Sequence, residues 1–114
     1  MNENVTYFSI LKDEKIIALA SAEMDVTSLN VEMTDFATLP EYQGNGLAIY
    51  LLKWMEDEMR KKNMKIAYSI SRAVSFGVNI IFAKSGYEYS GTLLNNTNIS
   101  GNIESMNIWY KSLK

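Results

Sequence analysis

The residues best arranged for chemistry lie between Thr38 and Ala48, in the run Thr-Leu-Pro-Glu-Tyr-Gln-Gly-Asn-Gly-Leu-Ala. A strand-like stretch leads in, Pro40 stops it, Gly44-Asn45-Gly46 turns the chain, and a helical pattern starts at Gly46 or Leu47. Such a turn is an anion cradle. The first N–H groups of a helix have no intrahelical acceptor, and the positive end of the helix dipole reinforces them. A phosphate or pyrophosphate can rest there without a basic side chain, and Gly44 and Gly46 let the main chain come close to it. Asn-Gly alone is also an ordinary hairpin turn; the strand before it and the amphipathic helix after it favour the cradle.

Two absences restrict what can be attached to that cradle. The chain has no Cys and no His, which removes thiolate nucleophiles, imidazole bases, disulfides and the usual zinc ligand sets. An acid or base must then be Asp, Glu, Tyr, Lys or water, and any group transfer is direct, without a cysteinyl intermediate. The net charge of −2 argues against nucleic acid as the main partner. No apolar run approaches the roughly 18 residues of a membrane span, and Met1-Asn2-Glu3-Asn4 has neither the basic start nor the apolar stretch of a signal peptide. The expectation is a cytoplasmic protein with no membrane partner. At 114 residues the chain makes one domain, 1–114, with one core.

The elements that must position the turn follow from periodicity. Tyr7 to Leu11 and Lys15 to Met24 read as strands around a Lys12-Asp13-Glu14 turn, and Ile16 to Ala20, apolar throughout, predicts cover on both faces. Val31 to Leu39 reads as a third strand with Val31, Met33, Asp35, Ala37 and Leu39 on one face and Glu32, Thr34, Phe36 and Thr38 on the other. A helix to Asn63 carries the stripe Ala48, Leu51, Leu52, Met55 and Met59, with Glu56–Arg60 and Asp57–Lys61 pairs facing solvent. Ile66 to Ile70 is a fourth strand, Ser75 to Ser85 a second helix stopped by Gly86, and Tyr87 to Leu94 a fifth strand. Asn95 to Asn102 reads as a polar loop and Ser105 to Lys111 as the closing strand. The order is β-β-β-α-β-α-β-β, an α/β (α+β) domain.

That order, with Gln43-x-x-Gly46-x-Ala48 at the first strand-to-helix turn, resembles the acyl-CoA-binding core of the GNAT family of N-acetyltransferases. Pro40-Glu41-Tyr42 and Ile81-Phe82-Ala83-Lys84-Ser85-Gly86-Tyr87 are similar to the family's approach to the turn and its second helix. Longer strings, Glu32 to Pro40, Asn95 to Gly101 and Glu104 to Lys111, resemble the acetyltransferase domain of β-lysine N-acetyltransferases.

The resemblance implies a mixed, mainly antiparallel sheet with two main helices and direct acetyl transfer from acetyl-CoA to a small-molecule primary amine, the side-chain amine of β-lysine. It places the CoA pyrophosphate on the N–H groups of Gln43, Gly44, Asn45, Gly46, Leu47 and Ala48. It pairs the pantetheine with the strand edge at Phe36, Ala37 and Thr38, and sets Ser75, Asn79 and Phe82 beside the thioester. Lys84 and Arg72 are candidates for the CoA phosphate or the acceptor carboxylate. Glu32 is the first candidate base and Asp35 the second, with no metal. The oxyanion would rest on a strand N–H near Phe36 or Ala37.

Two departures stand out. Many relatives have a tyrosine that protonates the leaving thiolate where this chain has Phe82. Relatives also begin with a strand and two helices that build much of the acceptor pocket, whereas this sequence starts almost directly with the hairpin. A fragment of a longer acetyltransferase, a second copy in a homodimer, or a CoA-binding or interaction module without catalysis are the alternatives these departures leave.

Overall fold

The computed structural model describes residues 4–72, 76–99 and 102–114. The elements are β1 (Val5–Lys12), β2 (Lys15–Asp25), β3 (Asn30–Thr38), a 3-10 turn (Pro40–Tyr42), α1 (Leu47–Lys61), β4 (Ile66–Arg72), α2 (Phe76–Lys84), β5 (Glu88–Ile99) and β6 (Asn102–Ser112). The strands form one sheet in the order β1-β2-β3-β4-β6-β5. Every pairing is antiparallel except β3 with β4. This is the element order and the mixed sheet that the sequence implies. No helix among the described residues is long and apolar enough to cross a membrane.

Local chemistry sets the turns. Asp13 and Glu14 both take positive φ, 53° and 64°, closing the β1–β2 hairpin with a two-residue loop. The Asp25 carboxylate accepts bonds from the N–H groups of Thr27 (3.1 Å) and Ser28 (3.3 Å). Hydrogen bonding, from the Ser28 hydroxyl above all, holds the Asp25 carboxyl below its usual range. Helix α1 ends in a Schellman motif: Asn63, at φ 64°, donates to Arg60 O and Met64 donates to Met59 O, both at 3.0 Å. Helix α2 ends the same way at Gly86, with Tyr87 N bonded to Phe82 O at 3.0 Å.

Both helices lie on one face of the sheet. Leu51, Leu52, Met55 and Met59 of α1 and Phe82 of α2 share one core with Phe8, Ala20, Ala22, Val31, Met33 and Ala67. The alanines of β2 are small enough to let α1 sit close to the strands. On the opposite face, flanking the buried Ala22, Met33 and Ala67, one row in register runs Glu23, Glu32, Tyr68, Tyr110.

Four sequence expectations are corrected. Ile16 and Leu19 are exposed while Ile17, Ala18 and Ala20 are buried, so the run from Ile16 to Ala20 is not covered throughout. Alternation in β3 fails after Thr34: Phe36 packs against the same core as Val31 and Met33. Glu56 is buried within the apolar stripe, at 3% exposure, rather than facing solvent; beside the expected Arg60 pair it has a shorter one to Lys111 of β6, Nζ to Oε1 3.1 Å. Arg60 lies 4.0 Å from Glu56 but 3.1 Å from Asp57, and Lys61 pairs with Glu58 at 3.7 Å rather than with Asp57. Finally, most of Asn95 to Asn102 belongs to strands: β5 continues to Ile99 and β6 begins at Asn102.

Candidate functional site

The site is built where two neighbouring strands part. β3 and β4 pair in parallel only at Asn30–Ile66, Val31–Ala67 and Glu32–Tyr68. The cause is a bulge in β3. Asp35 and Phe36 together oppose Ala20, between the pairs Ser21–Thr34 and Leu19–Ala37. Asp35 takes φ 57°, a conformation that Asp tolerates better than most L-residues. Ser21 Oγ donates to Asp35 Oδ2 at 2.8 Å, and Ser69 Oγ on β4 donates to Met33 O at 2.7 Å at the root of the split. The bulge turns Phe36 towards the helices, where its ring meets Phe82 edge-on at 5.7 Å. Ala37 and Thr38 still pair with β2, but their other edge faces the gap, beyond the last β3–β4 pair.

That edge borders an open cleft of about 640 Å³. Phe36 and Thr38 form one wall, the turn and the start of α1 a second, and Val78, Ile81 and Lys84 of α2 the third. Gly44 and Gly46 hold φ 84° and 76°. The first bond of α1 runs from Tyr50 N to Gly46 O at 3.0 Å, so Leu47, Ala48 and Ile49 have N–H groups with no acceptor inside the helix. No side chain caps them, and the first turn carries no acidic residue. Gln43 Nε2 donates to Thr38 O (3.3 Å) and Asn45 Nδ2 to Tyr42 O (3.1 Å), bracing the turn. This geometry suits an extended anion whose phosphates meet main-chain donors and whose middle carries amides that can pair with a strand edge.

Phe36, Thr38, Gln43, Gly44, Gly46, Leu47 and Ala48 therefore come together as the cleft's lining. Ala37 and Asn45 contribute to its strand and turn without lining it. Phe82 is fully buried behind the wall, between Phe36 and Tyr87. Asn79 also lies behind it. Its Oδ1 accepts from Ser71 Oγ (2.7 Å), Trp109 Nε1 (2.8 Å) and Asn107 Nδ2 (3.1 Å), while its Nδ2 donates to Arg72 O (3.1 Å). Because the indole can only donate, this network fixes which way the amide points. Ser75 lies outside the described residues. The face of α2 presented to the cleft is that of Gly77, Val78, Ile80, Ile81 and Lys84, not that of Asn79 and Phe82. Tyr42, Gly77, Val78, Ile80 and Ile81 are lining residues that sequence reasoning passed over; apolar residues surround α2, so no stripe marked its cleft face.

A second, smaller opening of about 220 Å³ lies in the split itself. Asp35 and Arg72 line it, and it shares Phe36 and Val78 with the larger cleft. Glu32 lines neither. It sits at the last paired position, across from Glu23 on one side and Tyr68 on the other. Burial, then the charges of Glu23 and Asp35, push its carboxyl above the usual carboxylate range. Burial and the charges of Glu32, Glu23 and Asp25 likewise push the Tyr68 phenol up.

Comparison with known proteins agrees with this geometry. The sequence model of the acetyltransferase (GNAT) family matches residues 1–84. A β-lysine N(6)-acetyltransferase of Methanococcus maripaludis is 54% identical over 111 residues, which are 97% of this chain and 40% of that protein. N-acetyltransferase YodP of Bacillus subtilis is 42% identical over 113 residues, 99% of this chain and 41% of its own length. The chain thus spans about 40% of the length of these curated relatives. Among solved structures, the ribosomal-protein-S18-alanine N-acetyltransferase of Escherichia coli superposes with a TM-score of 0.87 at 19% identity, covering 100% of this chain and 72% of that one. At that identity the similarity speaks for the fold. The family match over most of the sequence, on a sheet that splits beside a glycine-started helix, shows that the chain belongs to the acetyltransferase (GNAT) family.

Proposed function

We propose that this chain binds acetyl-CoA and transfers its acetyl group directly to a small-molecule primary amine, the side-chain amine of β-lysine. The observation that carries the reading is that the unpaired edge at Phe36 to Thr38 and the uncapped start of α1 border one cleft. The CoA pyrophosphate rests on the N–H groups from Gln43 to Ala48, the pantetheine amides extend the sheet at β3, and Lys84 meets a phosphate at the cleft's rim. The thioester carbonyl then lies at the split, with a β3 N–H near Phe36 or Ala37 for the oxyanion.

The attacking amine must first lose a proton. A lysine-type ammonium is neutral in about one part in several thousand at pH 7, a cost of roughly 4–5 kcal/mol. Glu32 is the base, acting through water from its place beside the split; its raised affinity for protons suits that task. Asp35, which lines the split, is the second candidate. As nitrogen bonds to the acyl carbon the C–S bond breaks, and the thiolate takes its proton from water. A thiol pKa near 8.5 makes that step accessible without a hydroxyl at Phe82. β-Lysine as acceptor rests on the named activity of a relative that is 54% identical to this chain.

Thermal melting with acetyl-CoA and a thiol-release assay with β-lysine, lysine and a polyamine test the reading together. A raised Tm with release on an amine is expected. No shift at near-millimolar acetyl-CoA rejects the donor site, and a shift without release leaves a CoA-binding module.

A further inference from the structure

We infer that the Ser71 hydroxyl receives the leaving sulfur: it donates a hydrogen bond to the thiolate as the C–S bond breaks, a task for which Phe82 has no hydroxyl. The inference rests on the transfer reaction proposed above and adds a catalytic residue to it. Position, a surplus of donors and burial carry it.

Along β4, Ser69 and Ser71 are buried and alternate with the exposed Ile70 and Arg72. Ser71 Oγ meets Asn79 of α2 at 2.7 Å, so it stands on the helical side of the sheet. It also borders the opening in the split, beyond the last β3–β4 pair at Glu32–Tyr68. Phe36 and Val78 border that opening and the donor cleft alike. Ser71 is therefore placed where a thioester laid along the cleft reaches the split. Ser69 lies nearer the root, and its hydroxyl is committed to Met33 O at 2.7 Å.

The bond that now holds the Ser71 proton is easily given up. Asn79 Oδ1 accepts from Ser71 Oγ (2.7 Å), Trp109 Nε1 (2.8 Å) and Asn107 Nδ2 (3.1 Å). A carbonyl oxygen has two lone pairs, so these three donors compete for it. Two are held in place: the Trp109 ring packs on Tyr89 at 5.4 Å, and Asn107 Oδ1 accepts from Thr92 Oγ1 at 2.8 Å. Of the three, only the Ser71 hydroxyl can change acceptor by turning about its own C–O bond, with no heavy atom displaced. An anionic sulfur attracts that proton more strongly than a shared amide oxygen does.

Burial strengthens the bond. Ser71 is 7% exposed, so water competes weakly for its proton and a charge developing beside it gains more. As the amine nitrogen bonds to the acyl carbon, the C–S electron pair stays on sulfur and Ser71 Oγ–H turns to it. The proton that completes the thiol comes from water at the split, and Ser71 ends with the hydrogen it began with.

The thiol of CoA bound to the protein can be titrated by the ultraviolet absorbance of its thiolate, against the complex with desulfo-CoA. A donor to the thiolate favours the charged form. The bound thiol should therefore titrate about one pH unit or more higher in Ser71→Ala than in the unaltered protein. Acetyl transfer at saturating acetyl-CoA should lose about tenfold or more in kcat, with the KM for acetyl-CoA little changed. Thr92→Val loosens the same network at its far end and should leave both the titration and kcat unmoved. An equal titration in Ser71→Ala and the unaltered protein, or an unchanged kcat, overturns the inference while leaving the donor site intact. Equal shifts in Ser71→Ala and Thr92→Val also overturn it, because they assign the effect to the network as a whole. If CoA binds but no amine is acetylated, the transfer reading falls and the catalytic role of Ser71 with it.

Discussion

Ser21 Oγ donates a 2.8 Å hydrogen bond to Asp35 Oδ2, and Asp35 is the residue at which β3 leaves the extended conformation. The bond ties the bulge to the neighbouring strand at the place where the sheet opens. Ser21 is fully buried, so Ser21→Ala should cost about 1 kcal/mol and lower Tm by about 4–8 °C. At Asp35 the backbone dominates: Asp35→Ala should be less stable than Asp35→Asn by about 1 kcal/mol, because Asn tolerates positive φ and Ala does not. Denaturant midpoints for the three variants check the order. Equal stability of the Ala and Asn variants at position 35 would show that the bulge is not held in that conformation.

Glu32 faces Glu23 directly across β2 and β3, a like-charge pair that opposes folding. Its carboxyl is raised above the ordinary value, first by burial. A raised folded-state pKa means that the stabilising contribution is complete below the unfolded value and is lost as pH rises through the folded one. Glu32→Gln should therefore raise Tm at pH 7, by an amount equivalent to a few tenths of a kcal/mol after solvent screening. The difference should vanish in acid, where Glu32 is protonated. Turnover should move the opposite way, falling with loss of the acid limb of kcat/KM. An unchanged pH–rate profile would assign the base to another group.

Gly46 is the N-cap of α1 in a left-handed conformation, and nothing lies within 4 Å of a Cβ built on it. Gly46→Ala thus has no clash to resolve. It should cost about 1–2 kcal/mol in backbone strain and place a methyl group on the wall of the donor cleft. The expected result is a folded protein whose KM for acetyl-CoA rises about tenfold or more, with the acceptor KM little affected. A matching rise in both KM values would mean that the variant has disturbed more than the cradle.

Asn79 was read from the sequence as a neighbour of the thioester, but its amide joins α2 to β4 and β6 through Ser71, Asn107 and Trp109. Asn79→Ala should leave the Trp109 indole N–H without this acceptor and cost about 2–3 kcal/mol. Its signature is a lower Tm with a largely retained KM for acetyl-CoA. A large change in that KM at unchanged stability would return Asn79 to the donor site.

The legible parts of this chain were those marked by local backbone chemistry. Gly44, Gly46 and Pro40 announce the turn because their conformations are restricted or permissive in themselves. Asn63 and Gly86 announce helix ends for the same reason. The bulge at Asp35 had no such mark: a strand count by alternation passes straight through it and puts Phe36 on the wrong face. The face of α2 was equally hidden, since Val78, Ile80, Ile81, Phe82 and Ala83 surround the helix with apolar residues and leave no stripe to orient it. The run from Asn95 was read as loop from its low strand propensity, whereas the ladder continues through Thr97–Glu104 to Ile99–Asn102.

Glu56 shows the same limit, since its partner lies on the last strand, and it supports a final prediction. Lys111 Nζ bonds both Glu56 Oε1 (3.1 Å) and Ser85 O (2.9 Å), while Glu56 Oε2 and the Tyr87 hydroxyl are buried without a hydrogen bond. Lys111→Met would strand a carboxylate that is 3% exposed, with Arg60 no closer than 4.0 Å. The expected cost is about 3–5 kcal/mol. Replacing both partners, Glu56→Leu with Lys111→Met, should recover most of that loss, because the double variant removes the buried charge instead of isolating it. Tyr87→Phe is the internal control. Burial, then the Glu56 charge and hydrogen bonding to the Glu56 side chain, pushes this phenol up and keeps it neutral; with the hydroxyl outside bonding geometry, as in the structure, deleting it should leave Tm unchanged or slightly higher. A fall in Tm on Tyr87→Phe would mean that the hydroxyl answers Glu56 Oε2 in solution. The Lys111→Met cost should then be smaller, because the carboxylate would keep a donor.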